Sequence, residues 1–154
     1  MKAQGNLHSV HSEENLHGIP PNPYNPHAWI TGTPVIGEKT WIGAFTLIDG
    51  QGGLTIGRGC DISSGAQILT HSTAKRCVSE GKVSIERRPT VIEDSVFIGT
   101  HAVILMGSRI GHHSIIAAGA VVLEGTIIPP SSLVAGVPAR VVRNIQNEIG
   151  DTAI

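Results

Sequence analysis

From residue 92 onward a large apolar side chain recurs every six residues: Ile92, Ile98, Ile104, Ile110, Ile116, Val122, Ile128 and Val134. An earlier run, Ile30, Ile36, Ile42 and Ile48, keeps the same step, and after a slip of two residues it continues through Ile56, Ile62 and Ile68. The slip falls at Gly50-Gln51-Gly52-Gly53, a Gly-rich bulge. Neither a helix nor an ordinary strand has a period of six. A triangular coil does: each unit is one short strand and one corner, and three units close a turn. Successive coils would then stack as parallel strands about 4.8 Å apart. On this reading Ile92, Ile110 and Ile128 share one face, Ile98, Ile116 and Val134 the second, and Ile104 and Val122 the third.

A second register lies four residues after each large position and takes small side chains: Thr40, Thr46, Cys60, Ala66, Val96, Ala102, Ser108, Ser114, Ala120, Thr126 and Ser132. These fit the narrow corners of the prism. Gly often follows the large residue, at Gly37, Gly43, Gly57, Gly99 and Gly111, which predicts backbone angles that other residues resist. With aromatics at only 3%, the core must be built from Ile and Val rather than rings. The expected fold class is all-β, one parallel β-helix of hexapeptide repeats over 30–143, preceded by an N-terminal arm over 1–29. Residues 144–154 form a short C-terminal tail or helix in this reading.

Composition excludes several function classes. A net charge of −1 offers no global field for nucleic acid or anionic membrane. No apolar run approaches the roughly 18 residues of a membrane span, and the arm has no apolar stretch of a signal peptide. Two cysteines, Cys60 and Cys77, make no disulfide framework, so the expected location is cytoplasmic.

The repeat breaks once. After Ile68 the register resumes only at Ile92, which leaves 18 residues beyond one step. The expected excursion loop runs from His71 to Pro89. Loops of that length in a compact domain are usually functional or disordered. Lys75, Arg76, Lys82, Arg87 and Arg88 face only Glu80 and Glu86 there, a local excess of three positive charges. Such a loop is either a solvated surface or a lid that attracts phosphates; in the second case Arg87 and Arg88 bind substrate. Asp49 and Gln51, in the Gly-rich bulge, follow one large position as His71 follows another on the same face one coil later. They are candidates to orient His71 or to hold an acceptor hydroxyl, against the plainer reading of a turn made of Asp and Gly.

Three segments and their order carry a family resemblance: Ile68-Leu69-Thr70-His71, then Pro89 to Gly99 (PTVIEDSVFIG), then Ile110 to Val122 (IGHHSIIAAGAVV). Val134 to Arg143 (VAGVPARVVR) closes the series. Together they resemble the hexapeptide-repeat acyltransferases, and most of all the bacterial sugar, polysaccharide and nucleotide-sugar acetyltransferases. The resemblance implies that the coil is left-handed, since general crossover rules favour the opposite hand. It also implies acetyl-CoA as acyl donor, a sugar or nucleotide-sugar acceptor, a homotrimer, and direct acetyl transfer with His71 as general base. An imidazole suits that task because it ordinarily titrates at about 6.5. By the same resemblance the amide of Thr100 receives the oxyanion, that of Ala118 contacts the pantetheine arm, and Phe97 stands where relatives carry Trp. Arg140 and Arg143 are candidates for the CoA phosphates, or else part of a solvated C-terminal segment. Leu123-Glu124-Gly125 departs from the Thr-Lys-Asp corner of many relatives, and Glu124 cannot attract a phosphate.

Two other readings share the prism. A γ-class carbonic anhydrase would place three His on a metal ion, but the late His112 and His113 are adjacent, which makes joint coordination awkward. A non-catalytic scaffold or ice-binding surface would leave the excursion unexplained and would show Thr ladders. No metal is expected.

Overall fold

The structure, a computed structural model, describes residues 18–150. His8, His11 and His17, most of the 1–29 arm, and residues 151–154 lie outside the described residues. Within the described residues the chain winds through five coils of three short strands each. The first two are β1 (Trp29–Gly32), β2 (Val35–Ile36), β3 (Trp41–Ile42) and β4 (Leu47–Gly50), β5 (Leu54–Ile56), β6 (Asp61–Ile62). The third begins with β7 (Gln67–Ile68), is interrupted by β8 (His71–Ser72), α1 (Ala74–Val78) and β9 (Glu86–Arg87), and resumes with β10 (Thr90–Ile92) and β11 (Phe97–Ile98). The last two are β12 (Val103–Ile104), β13 (Arg109–Ile110), β14 (Ile115–Ile116) and β15 (Val121–Val122), β16 (Ile127–Ile128), β17 (Ser132–Gly136). A final strand, β18 (Ala139–Asn144), folds back antiparallel on β17.

Stacking gives three flat faces. Face A is β1-β4-β7-β12-β15, face B is β2-β5-β10-β13-β16, and face C is β3-β6-β11-β14-β17 with β18 at its edge. The fold is a left-handed parallel β-helix. The six-step ladder is its core. Ile92 pairs with Ile110 and Ile110 with Ile128, Ile98 with Ile116 and Ile116 with Val134, and Ile104 with Val122, all of them buried. Ile30 and Ile36, on the outermost coil, are packed against that core but only partly buried. Each residue of the ladder points inward because side chains alternate along a strand, so its neighbours on either side face out.

The small register does more than fit. Buried corner hydroxyls satisfy carbonyls that no strand can reach: Ser108 Oγ donates to the Leu123 carbonyl at 2.9 Å and Ser132 Oγ to that of Pro129 at 2.7 Å. Among the described residues no buried side-chain polar atom lacks a partner, as native interiors require.

The glycine expectation needs correcting. Gly37, Gly43, Gly57, Gly99 and Gly111 do not adopt left-handed backbone angles. They are glycine because the next coil passes too close: a Cβ on Gly99 would lie 2.5 Å from the Ala118 nitrogen. The left-handed position comes two residues later, three after the large residue. It is held by Gly at some corners and by Lys39, Phe45, Ser95, His101, His113 and Ser131 at others.

Two further expectations change. The excursion is not a plain loop: β8 and β9 form an antiparallel ribbon at its root, with α1 beyond. Nor does the tail form a helix within the described residues; after β18 it turns and buries Ile145 at the end of the prism.

Candidate active site

Three edges join the faces, and the chemistry divides among them. The A–B edge carries the Gly-rich bulge in the second coil, the excursion in the third and Glu124 in the fifth. Along the B–C edge lie Arg58, Asp94, His112 and His113. The C–A edge carries Thr100 and Ala118 on successive coils.

The A–B edge holds the tightest polar cluster. Ile48 stacks on Ile68, so the residues that follow them, Asp49 and Leu69-Thr70-His71, leave the face at the same place. Asp49 and His71 are in contact, with His71 Nδ1 2.6 Å from Asp49 Oδ2. Asp49 is 2% exposed, whereas the His71 side chain keeps 29% of its surface. The carboxylate is held by its neighbours. The Thr70 N–H donates to Oδ2 at 2.8 Å, the Gln51 N–H to Oδ1 at 3.0 Å, and the Thr70 hydroxyl lies 2.9 Å from Oδ2.

Burial by itself would push the Asp49 carboxyl pKa up. The hydrogen bonds from Thr70, Gln51 and His71 outweigh that and hold it below its ordinary value. Asp49 is therefore an ionised, acceptor-only group, and the hydrogen of the His71 contact sits on Nδ1. That fixes the tautomer of neutral His71: Nε2 carries the lone pair and is the nitrogen able to accept a proton. Asp49 spends its oxygens on this framework, which supports orienting the imidazole rather than holding an acceptor hydroxyl. Gln51 is exposed, and it enters the cluster through its backbone N–H. Thr70 was not singled out in the sequence, although it directly precedes His71 and stands beside Asp49 across the coil spacing.

The remaining candidates are scattered. Phe97 points outward from face C and is 41% exposed. Thr100 and Ala118 are exposed corner residues whose amides make no hydrogen bond among the described residues, so both are free to donate to a ligand. Arg143 sets its guanidinium in a fork on Glu148, at 2.8 and 3.0 Å. Arg140 is exposed, with Nη1 donating to the Ala139 carbonyl at 2.9 Å. In the excursion Lys75 pairs with Glu86 at 2.8 Å and Arg88 with Glu124 at 2.5 Å, while Arg87 has no ion pair among the described residues. An open groove of about 880 Å³ runs beside His112 and His113 on the B–C edge, away from His71. The two rings stand at 90° to each other, edge to face, with their Nδ1 atoms 2.8 Å apart. Among the described residues no cluster of three His, Cys, Asp or Glu side chains could hold a metal ion.

Comparison with known proteins places this geometry. Residues 89–124 match the family model described as bacterial transferase hexapeptide (six repeats). The crystal structure of a hexapeptide-repeat-containing acetyltransferase from Vibrio cholerae is 33% identical, with a TM-score of 0.62, over 78% of this chain and 67% of that one. The chain belongs to the hexapeptide-repeat acyltransferase family. The same Vibrio protein complexed with acetyl coenzyme A gives 34% identity and a TM-score of 0.66, over 78% of this chain and 64% of that one. A 2,3,4,5-tetrahydropyridine-2,6-dicarboxylate N-acetyltransferase of Brevibacillus brevis is 51% identical over 61 residues, 40% of this chain and 25% of that relative's length. An N-acyltransferase from Bacillus cereus, at 21% identity and a TM-score of 0.69, shares the fold. Within this acyltransferase family the coil is common property. No helix among the described residues is long and apolar enough to cross a membrane.

Proposed function

We propose that the protein is an acetyl-CoA-dependent acetyltransferase that acylates a hydroxyl or amine of a sugar or nucleotide-sugar, with His71 as general base. The observation that carries this is the His71–Asp49 contact at the root of the excursion. A buried carboxylate fixes the imidazole so that a basic nitrogen is left at a partly open surface. Bound acetyl-CoA would supply the acyl carbon and a thiolate leaving group. His71 Nε2 would take the proton from the acceptor hydroxyl or amine as it attacks, and return one to the departing sulfur. Asp49 would stabilise the imidazolium formed between those two events. The unengaged Thr100 amide suits a developing oxyanion, and the Ala118 amide one coil on suits an amide of the pantetheine arm. The Vibrio complex supports the donor, and the motifs resembling sugar acetyltransferases support the acceptor class. The unpaired cysteines are in keeping with the cytoplasm.

His71 and the two amides lie on different edges of one prism. A complete site therefore needs a neighbouring copy, with the base from one chain facing the amides of the next. The proposed unit is a homotrimer, whose closed symmetry gives three such junctions. Light scattering should give about three times the 16.1 kDa chain mass; an active monomer would sink the shared site. The function itself is tested by thiol release from acetyl-CoA with a panel of sugars and nucleotide-sugars, scored together with mass spectrometry of the acetylated product. Turnover that survives in the His71→Ala variant would remove His71 from the mechanism.

A further inference from the structure

The excursion's positive charges are not equivalent. Lys75 is tied to Glu86, and Arg88 reaches down the A–B edge to Glu124. Arg88 is thereby neutralised and committed to the prism, and a Cβ on Gly107 or Gly125 would already be in contact with it. Arg87 is exposed and has neither a hydrogen bond from its side chain nor an ion pair among the described residues. It is also the residue directly opposite His71 in the antiparallel ribbon of β8 and β9. Directly opposed residues of such a pair project their side chains from the same face, with Cβ atoms about 5 Å apart. A long, unpaired guanidinium therefore shares a ribbon face with the imidazole.

We infer that Arg87 is a specificity residue that binds an anionic group of the acceptor, a carboxylate or a phosphate, close to the hydroxyl or amine deprotonated by His71. The inference rests on the proposed function and narrows its acceptor class. Position argues for the acceptor over the donor. The atom that loses its proton must touch His71, whereas the phosphates of CoA lie at the far end of the pantetheine arm from the reacting thioester. The chemistry argues the same way. A guanidinium fork matches the two oxygens of a carboxylate or phosphate, and the acids nearest in the ribbon and at the edge, Glu86 and Glu124, are already occupied by Lys75 and Arg88.

Binding can be read without turnover, from two-bond ¹H–¹⁵N spectra of the histidine rings in the full chain, with the His71 signals identified by their loss in His71→Ala. The probes are glucuronic acid, glucose 1-phosphate, neutral glucose and adenosine 3′,5′-bisphosphate, the last standing for the nucleotide end of CoA. In the wild type one or both anionic sugars should shift the His71 signals saturably, and glucose should not; which of the two is stronger tells carboxylate from phosphate. Arg87→Gln should weaken that binding about 10- to 100-fold, the weight of a charge-assisted pair. Arg87→Lys should recover part of it, and Arg88→Gln should leave it unchanged. Equal affinity in Arg87→Gln, no His71 response to either anionic sugar, or an Arg87-dependent response to the bisphosphate alone would overturn the inference. The proposed function fails separately, if His71→Ala leaves thiol release intact.

Discussion

Residues 103–120 and residues 71–89 use nearly the same length of chain for opposite ends. The first stretch is one turn of the prism. It buries Ile104, Met106, Ser108, Ile110, Ser114, Ile116 and Ala120 and carries a single Lys, Arg, Asp or Glu, Arg109. The second buries no side chain and carries seven such charges. The coil turn is over-determined, since every inward residue is packed between the coils before and after it. The excursion depends on its root: Arg88 N–H to the Thr70 carbonyl at 3.0 Å, Thr90 Oγ1 to that of Leu69 at 2.9 Å, and the two pairs of the β8–β9 ribbon. A repeating core cannot spare an inward position for a charged group, so the polar cluster of the A–B edge stands where the repeat is interrupted. The Gly-rich slip frees Asp49 in one coil, and the excursion frees His71 in the next.

The division predicts that the largest loss of activity comes with the smallest loss of structure. His71→Ala should lower turnover by about 10²–10⁴-fold, the usual contribution of a positioned base, with the unfolding midpoint nearly unchanged because the ring is at the surface. Asp49→Asn should cost about 10²-fold, the lower end of that range, since the ring keeps its basic nitrogen but loses its fixed orientation. Stability has an acid limb. Asp49 is held below its ordinary 3.8, so its stabilising contribution is complete above that value and is lost as pH falls through the lower folded-state value. Denaturant titrations in that window should give a flatter pH dependence for Asp49→Asn. Equal turnover in wild type and both variants would break the dyad.

The coil should respond in the reverse sense. Ile104 is fully buried between Ile68 and Val122. Ile104→Ala should cost about 2–5 kcal/mol, the usual loss when a buried Ile is truncated and a cavity remains. Chemical denaturation measures it, and catalysis per folded molecule should be close to wild type. A loss under about 1 kcal/mol would mean that the stack relaxes around the gap, against the close packing that interiors normally show.

That asymmetry also explains what could be read from the chain alone. Fifteen large positions gave the coils, the three faces and the pairing, because a period repeated so often cannot be satisfied by another fold. The break at His71 marked the candidate site for the same reason. The ribbon at the excursion's root was not legible: β8 and β9 are two residues each, too short for any alternation to register, and Glu86-Arg87-Arg88 reads as solvated charge until the pairing with His71 is seen. Asp49 was ambiguous because Asp beside Gly is ordinary turn chemistry; only the stacking of Ile48 on Ile68 turns it toward the imidazole. The pairings of Arg143 with Glu148 and Arg88 with Glu124 lay beyond periodicity altogether, since they join residues by reach rather than by register.

The Arg88–Glu124 pair sets the lower end of the scale. It ties the excursion to the fifth coil, which invites the idea that it holds the excursion down. Both side chains are more than two-fifths exposed, at 44% and 43%. Exposed pairs typically contribute about 0–1 kcal/mol, because Coulomb attraction in water is weak and two long side chains lose freedom. The backbone bonds of Arg88 and Thr90 are present with or without it. Arg88→Gln and Glu124→Gln should therefore each change stability by less than about 1 kcal/mol, and a double-mutant cycle should give a coupling in the same range that shrinks with added salt. Turnover by Arg88→Gln should stay within about twofold of wild type, since a loss of that size shifts a local equilibrium only slightly and leaves the His71–Asp49 contact in place. A coupling above about 2 kcal/mol, insensitive to salt, would be more than solvent-exposed charges can supply. The excursion would then be a fixed part of the prism, and the contrast between the two regions would be one of composition alone.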